Sequence, residues 1–317
     1  MEPSSTNFKH VFGPVPSRRL GRSLGIDLVP YKTCTFDCIY CDLGRTTQKI
    51  ISRQSCFPPD QILGEFQTAL SILERKPDFV TMSGSGEPTL NQDLGKMIRG
   101  VKNLTSVPVA ALTNGSLLWM KEVRDDLLDA DVVLPSLDAA TPLIFEHINR
   151  PCSSLNLNQI ISGLVQFRKE FRHQIWLEIV FCRGINDGSE EVEALRKAIE
   201  RIEPDRIQLN TPVRPPAEEY AYPLVFDQLE KIRRTFGDKS EIISDVVGPL
   251  GCGDDSDKDT QILELIRRRP CTAEDISRSL EMNLNEVMKH LSRLAEKGAI
   301  HHRMHQHHCY YEKTLVS

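Results

Sequence analysis

Short apolar runs that end in a polar or glycine-containing turn recur along residues 23–212, and they constrain the fold more than any other feature. They are "SLGIDLVP" (23–30), "DFVTMSGSGEP" (78–88), "VPVAALTNG" (107–115), "DVVLPSLD" (131–138), "QIWLEIVF" (174–181) and "DRIQLNTP" (205–212). Their β-branched content and their turn residues predict strands. Between them, "DQILGEFQTALSILERK" (60–76), with Asp60 as N-cap, and "NLNQIISGLVQFRKEF" (156–171) carry helical spacing. Six strands alternating with helices predict a parallel α/β sheet, either a partial barrel or an open doubly wound sheet. Both architectures build sites at the C-terminal ends of the strands. The chemistry-bearing residues gather there: the cysteines of residues 34–41, Glu87, Asn114, Asp138 and Asn210.

"CTFDCIYC" places Cys34, Cys38 and Cys41 within eight residues, with no fourth cysteine nearby. Soft thiolates suit iron–sulfur clusters, and three of them hold three irons of a [4Fe–4S] cube, leaving the fourth iron open. The competing reading is a structural zinc completed by Cys56 or a histidine, since zinc wants four protein ligands. Nine cysteines, an odd number, point to metal or catalysis and away from a disulfide framework. The N-terminus lacks a basic start and an apolar core, and no apolar run approaches the roughly 18 residues of a membrane helix. A cytoplasmic, membrane-free protein is expected. The net charge of −5 gives no chain-wide drive toward nucleic acid.

Composition shifts near residue 250. "GPLGCGDDSDKD" (248–259) is rich in Gly and Asp, so residues 1–247, a linker 248–257 and a second domain 258–317 are expected. Thr272 with Asp275 and Asn283 with Glu286 are capping-box-like helix starts. Three helices followed by a hairpin predict a winged helix-turn-helix. Its recognition helix would span 283–297, packed through Leu284, Val287, Met288, Leu291 and Leu294. Lys289, His290, Arg293 and Lys297 would face a nucleic acid or protein partner. Residues 258–317 hold ten Lys and Arg against eight Asp and Glu, a mild excess of positive charge. His301, His302, His305, His307, His308 and Cys309 read as a wing tip that is solvated or touches phosphates, because strand alternation splits them between two faces.

These motifs together resemble the radical S-adenosylmethionine (SAM) enzymes over residues 20–215. "CTFDCIYC" is similar to their cysteine loop, "SGSGEPTL" (83–90) to the Gly-Gly-Glu-like turn after strand two, and "LTNGS", "PSLDAA" and "LEIVF" to later strand ends. Residues 13–41 resemble more narrowly the wybutosine-synthesis-like iron–sulfur oxidoreductases. The resemblance implies a partial (β/α)6 barrel that binds one [4Fe–4S] cluster through Cys34, Cys38 and Cys41. It implies S-adenosyl-L-methionine as second cofactor, cleaved by one electron from a flavodoxin or ferredoxin, so that a 5′-deoxyadenosyl radical abstracts hydrogen from a substrate. Tyr40 would lie beside the adenine, which backbone near Ile39 and Asn210 would read. Gly84, Ser85 and Gly86 would let backbone approach the methionine amino group. Glu87 would add complementary charge or orient its loop, and Asp138 or Glu178 would accept from the ribose.

Each residue has a plainer role to set beside this one. Asn114 and Gly115 are a common turn pair, and Asp138 suits a helix cap. Glu178 on an apolar strand is harder to explain structurally, because an unpaired buried carboxylate is costly. Arg18, Arg19 and Arg22 read as a solvated cluster in preference to holders of an anion. Cys56, Cys152, Cys182, Cys252 and Cys271 read as buried small hydrophobes. The alternative to an enzyme is an iron–sulfur-dependent DNA-binding regulator acting through the winged helix.

Overall fold

The computed structural model describes residues 8–243 and 258–314, with the exception of 281, 283 and 307. The chain opens with strands β1 (Val11–Ser17) and β2 (Gly21–Ile26), an antiparallel pair. Two short strands, β3 (Thr33–Cys34) and β4 (Gln48–Lys49), pair in parallel outside the main sheet and tether the cysteine loop. Helices and strands then alternate: α1 (Pro59–Ile72), β5 (Phe79–Met82), α2 (Leu94–Leu104), β6 (Val109–Thr113), α3 (Lys121–Leu127), β7 (Val132–Pro135), α4 (Pro142–Ile148), α5 (Leu157–Glu170), β8 (Gln174–Val180), α6 (Ser189–Ile202), β9 (Arg206–Asn210), α7 (Phe226–Phe236) and β10 (Ser240–Ile242). The sheet order is β1-β2-β5-β6-β7-β8-β9-β10, and its two ends do not pair. From β2 to β10 the pairing is parallel and the strand order follows the chain without the reversal of a doubly wound sheet, so the architecture is a partial barrel, one of the two expected forms.

Two strands of the main sheet, β1 and β10, lie outside the expected six. β1 contains Pro14 and Pro16, which cannot donate to a ladder and disguise a strand in sequence. An edge position tolerates them, and β1 is an edge with an irregularity between Phe12 and Val15. β10 is a three-residue edge strand, too short to show periodicity. Helix boundaries also differ. The N-cap of α1 is Pro58, with Asp60 inside the first turn, and the helix stops at Ile72. Asn156 does cap α5, accepting from the Asn158 and Gln159 amides.

Strand alternation sorts the sheet into two faces. Val109, Ala111, Val133, Leu177 and Ile179 join the large core beneath the helices. Their sequence neighbours Ala110, Val132, Leu134 and Trp176, with Leu20, form a smaller apolar plug on the inner face. Burying such side chains stabilises by about 1.5–3 kcal/mol each. Two and four residues beyond Trp176 on the same face come Glu178 and Val180, which line a cavity of about 380 Å³. The inner face thus changes from sealed and apolar to open and polar along each strand.

Residues 258–314 form a second cluster: α8 (Lys258–Arg268), β11 (Cys271–Thr272), α9 (Ala273–Leu280), α10 (Leu284–Glu296), β12 (Ile300–His305) and β13 (His308–Lys313). The antiparallel order is β11-β13-β12. Ile262, Ile266, Ile276, Val287, Leu291 and Leu294 make its separate core. Thr272 and Asp275 exchange side-chain-to-amide bonds of 3.1 and 3.2 Å, a capping box at α9. The expected linker 248–257, with Cys252, and the capping residue Asn283 lie outside the described residues. This unit leans on the barrel. Tyr310 donates to the Val213 carbonyl at 2.5 Å, and Arg268 meets Asp27 at 3.4 Å with its guanidinium over the Phe12 ring. No helix among the described residues is long and apolar enough to cross a membrane.

Candidate functional site

The cysteine loop follows β2 and is tied on both flanks. Lys32 and Ser85 share a backbone bond of 2.6 Å, and the Glu87 amide donates to the Thr33 carbonyl at 3.0 Å. On the other flank the Ile39 and Asp37 amides donate to the carbonyls of Ile148 and Asn149 at the end of α4. The glycines of "SGSGE" make the first seam possible. Gly84 has φ of +136°, and a Cβ there would lie 2.5 Å from the Asp27 carboxylate. A Cβ on Gly86 would lie 2.0 Å from the Thr33 carbonyl oxygen. Ser85 between them bonds to Asp27 through both its amide and its hydroxyl.

Cys34, Cys38 and Cys41 are half-buried free thiols, and each sulfur receives a side-chain N–H donor from a different place in the fold, with the Phe36 and Leu43 backbone amides adding to Cys34 and Cys41. Asn114 Nδ2 reaches Cys34 Sγ at 3.5 Å, Asn149 Nδ2 reaches Cys38 Sγ at 3.4 Å, and Lys32 Nζ reaches Cys41 Sγ at 3.3 Å. Burial pushes all three thiols up, Cys34 to about 12, with the charges of Glu87 and Asp138 adding to the effect at Cys34 and Cys38 respectively. Such thiols become thiolates when bound cations compensate the charge. A zinc site needs four ligands on one ion, and among the described residues no three His, Cys, Asp or Glu side chains are placed to hold a single metal ion. The ligands of a cube each meet a different iron and need not converge on a point. The donor set therefore fits a cluster.

Glu87 faces inward. It accepts from the Thr89 amide (3.1 Å) and hydroxyl (2.6 Å), the Thr113 hydroxyl (2.6 Å) and the Asn114 amide (2.7 Å). Of its two expected roles, this geometry supports orientation of the loop, because it locks the turn after β5 to the end of β6. Burial still raises its pKa above the usual carboxylate range. Asp138 is equally buried and does not cap a helix, since the N-cap of α4 is Thr141. It accepts from the Tyr40 hydroxyl (2.5 Å), Asn149 Nδ2 (2.7 Å) and the Val180 amide (2.9 Å). Burial raises it to about 6 against these donors. Asn149 thus bridges Cys38 and Asp138.

The far wall of the cavity belongs to β8 and β9. Glu178 pairs with Arg19 at 2.7 Å and accepts from Asn210 Nδ2 at 3.0 Å, while Asn210 Oδ1 accepts from Arg18 at 3.2 Å. The expectation of a solvated arginine cluster is overturned for Arg18 and Arg19. Both line the cavity, because the unforeseen strand β1 delivers them to the inner face. Tyr40, Ser85, Glu178 and Asn210 share this cavity with Cys41, whereas Asn114, Asp138, Gly86 and Glu87 stand behind it. Lys32 and Asn149 were not legible as site residues. Nothing in "RPC" or "HINR" distinguishes Asn149, and Lys32 gains its place through a left-handed backbone, φ +57°. Cys182 and Cys271 are buried as expected, but Cys56 and Cys152 are only half-buried.

A profile of the Radical SAM superfamily matches residues 28–199. The chain belongs to the radical SAM superfamily. A radical SAM domain binds a [4Fe–4S] cluster and S-adenosylmethionine, and these are the cofactors of this chain. A UPF0026 protein of Methanocaldococcus jannaschii is 36% identical over 228 residues that cover 72% of this chain and 71% of that one. A protein of Brachyspira hyodysenteriae named GTPase Obg is 38% identical over 300 residues; they cover 94% of this chain, which spans 44% of that protein's length. In structure, a radical SAM methyltransferase from Sphaerobacter thermophilus shares the fold with a TM-score of 0.56 at 14% identity, covering 69% of this chain and 65% of that one.

The C-terminal unit departs from expectation on α10. Val287, Leu291 and Leu294 are buried, but Leu284 and Met288 are each 41% exposed, so the packed stripe is narrower. His290 and Arg293 both reach Asp259 of α8 at 2.6 Å, and Lys297 lies 4.0 Å from it. Lys289 remains exposed. Of the histidines, His301 and His302 are exposed and His301 lies 3.4 Å from Glu312; His307 lies outside the described residues.

Proposed function

We propose that Cys34, Cys38 and Cys41 hold the [4Fe–4S] cluster and that SAM lies in the adjoining cavity, making the chain an oxidoreductase that acts on RNA or protein. The observation that carries this reading is the match of three thiols with three side-chain N–H donors beside a polar cavity at the strand ends. When bound, the two cofactors supply one-electron chemistry, the reductive cleavage of SAM and the removal of hydrogen from a substrate. The chain's own residues do the placing. Lys32, Asn114 and Asn149 stabilise thiolate charge on the loop. Glu87 and Asp138 fix the turn and the Tyr40 ring that flank the SAM position, while Ser85, Glu178 and Asn210 offer polar contacts to it and Gly86 lets the loop pack against Thr33 behind it. The apolar plug of Leu20, Val132, Leu134 and Trp176 keeps water from the inner end.

Residues 258–314 are read as a winged-helix unit that presents the macromolecular substrate, with a flavodoxin or ferredoxin as electron donor. The likeness of residues 13–41 to wybutosine-synthesis-like enzymes makes RNA the first substrate to try. A purely DNA-binding regulator is less favoured, because a sensor needs a cluster but no polar cavity beside it such as the one that Tyr40, Ser85, Glu178 and Asn210 line. The test is anaerobic incubation of the reconstituted, reduced chain with SAM. Release of 5′-deoxyadenosine supports the enzyme; none, with the cluster intact, supports the regulator.

A further inference from the structure

The cavity that holds Tyr40 and Cys41 carries more positive charge than its walls balance. Five guanidinium groups line it, from Arg18, Arg19, Arg214, Arg268 and Arg269, against the two carboxylates of Asp42 and Glu178. Glu178 matches Arg19 closely. Arg214 reaches Asp42 only at 3.9 Å, and Arg268 reaches Asp27, outside the lining, at 3.4 Å. The Nε atoms of Arg214 and Arg268 are both buried without a hydrogen-bond partner. Arg269 is desolvated beside the like charge of Arg214, and the carboxylates of Asp42 and Asp275 offset this only in part. Buried donors and incompletely paired buried charges are costly unless a ligand supplies the missing acceptor. SAM does not cancel the excess, because its ammonium offsets its carboxylate and its sulfonium adds one more positive charge.

We propose that Arg214, Arg268 and Arg269 form a subsite for an anionic group, phosphate or carboxylate, of the substrate. Guanidinium forks match both groups in geometry. The inference rests on the functional reading above and narrows it, since the substrate must carry an anion into the cofactor cavity. It also gives the C-terminal unit a part in the site, because Arg268 ends α8 and Arg269 follows it.

The test is calorimetric titration of the reconstituted full chain, saturated with SAM, using inorganic phosphate and then succinate, with ionic strength held by chloride. At least one probe should bind saturably, and the tighter one names the group. Arg269→Gln should weaken that binding tenfold or more, and Arg214→Gln should do the same, the second variant guarding against a misfolded first. SAM affinity should stay at the wild-type value in both. The proposal is overturned if neither probe binds better than chloride, or if both variants bind as wild type does. It is also overturned if SAM affinity falls in place of anion affinity, which would assign the arginines to the SAM carboxylate. A failure of the cofactor reading shows separately, as missing cluster absorbance or missing SAM binding before any anion is added. The anion titration is then read without SAM on the same chain.

Discussion

The barrel's strand ends and the face of α10 both display polar residues that the sequence marks as functional, yet the structure uses them differently. At the strand ends, Tyr40, Glu178 and Asn210 converge on one cavity with the cysteine loop. On α10 and just after it, His290, Arg293 and Lys297 turn to Asp259 of the same small unit. The difference is topological. Parallel strands all deliver their C-terminal ends to one place, so a polar residue there has neighbours of its own kind. A helix surface has no such focus, and a polar residue on it is satisfied by whichever opposite charge packs nearby. Position within a fold, more than residue type, separates a site from a surface.

The sharpest way to break that contrast is at the cysteines. Cys38→Ala should abolish the cluster absorbance of the reconstituted chain, because two thiolates are too few for a cube. Cys56→Ala should leave it near the wild-type level. The reverse result would move the ligand set away from the strand ends.

The next effect is on SAM. Glu178→Ala removes a carboxylate held by Arg19 and Asn210 and should cost about 1.5–3 kcal/mol in SAM binding, roughly 10- to 150-fold, with the cluster retained. Equilibrium dialysis with labelled SAM reads this directly, and unchanged affinity would confine Glu178 to pairing with arginine.

How much could be read in advance follows the same division. The alternation of Val109 to Leu112 and of Trp176 to Val180 is visible as β-branched and apolar spacing, and it fixes which residues face inward. Glu87 and Asp138 stood out because carboxylates at apolar strand ends need a reason. Their partners did not stand out: Asn149 lies at the C-cap of α4, where an asparagine is ordinary. Arg18 and Arg19 were misjudged because Pro14 and Pro16 hid β1, and without β1 nothing carries the arginines inward. The narrower packing of α10 was hidden because Leu284 and Met288 have the right spacing but stay 41% exposed.

Asn149 sharpens the comparison from the structural side. Asn149→Ala leaves the buried Asp138 short of one donor and Cys38 short of another, which should lower stability by about 1–3 kcal/mol in urea unfolding. Cluster absorbance should persist, since no ligand is lost. A variant as stable as wild type would mean that water replaces the amide and that Asp138 is not sealed.

The smallest effect is expected on the helix face, and its pH dependence identifies it. Burial raises the Asp259 carboxyl, but hydrogen bonds from Arg293 and His290 outweigh this and hold it below its ordinary value of 3.8. A carboxylate depressed on folding stabilises the fold fully above its unfolded value, and that contribution is lost as pH falls through the lower folded one. Asp259→Asn should therefore destabilise by only about 0.5–1 kcal/mol at pH 7, the range of a partly exposed ion pair. The part of that difference owed to the Asp259 charge should be lost as pH falls below about 4. Because the substitution frees His290 and Arg293, it also asks what they do when unpaired. If affinity for RNA rises in the variant, and the gain disappears at high salt as counterion release requires, α10 is a nucleic-acid face restrained by its own aspartate. If affinity is unchanged, the face is structural, and substrate recognition lies with the arginines of the cavity.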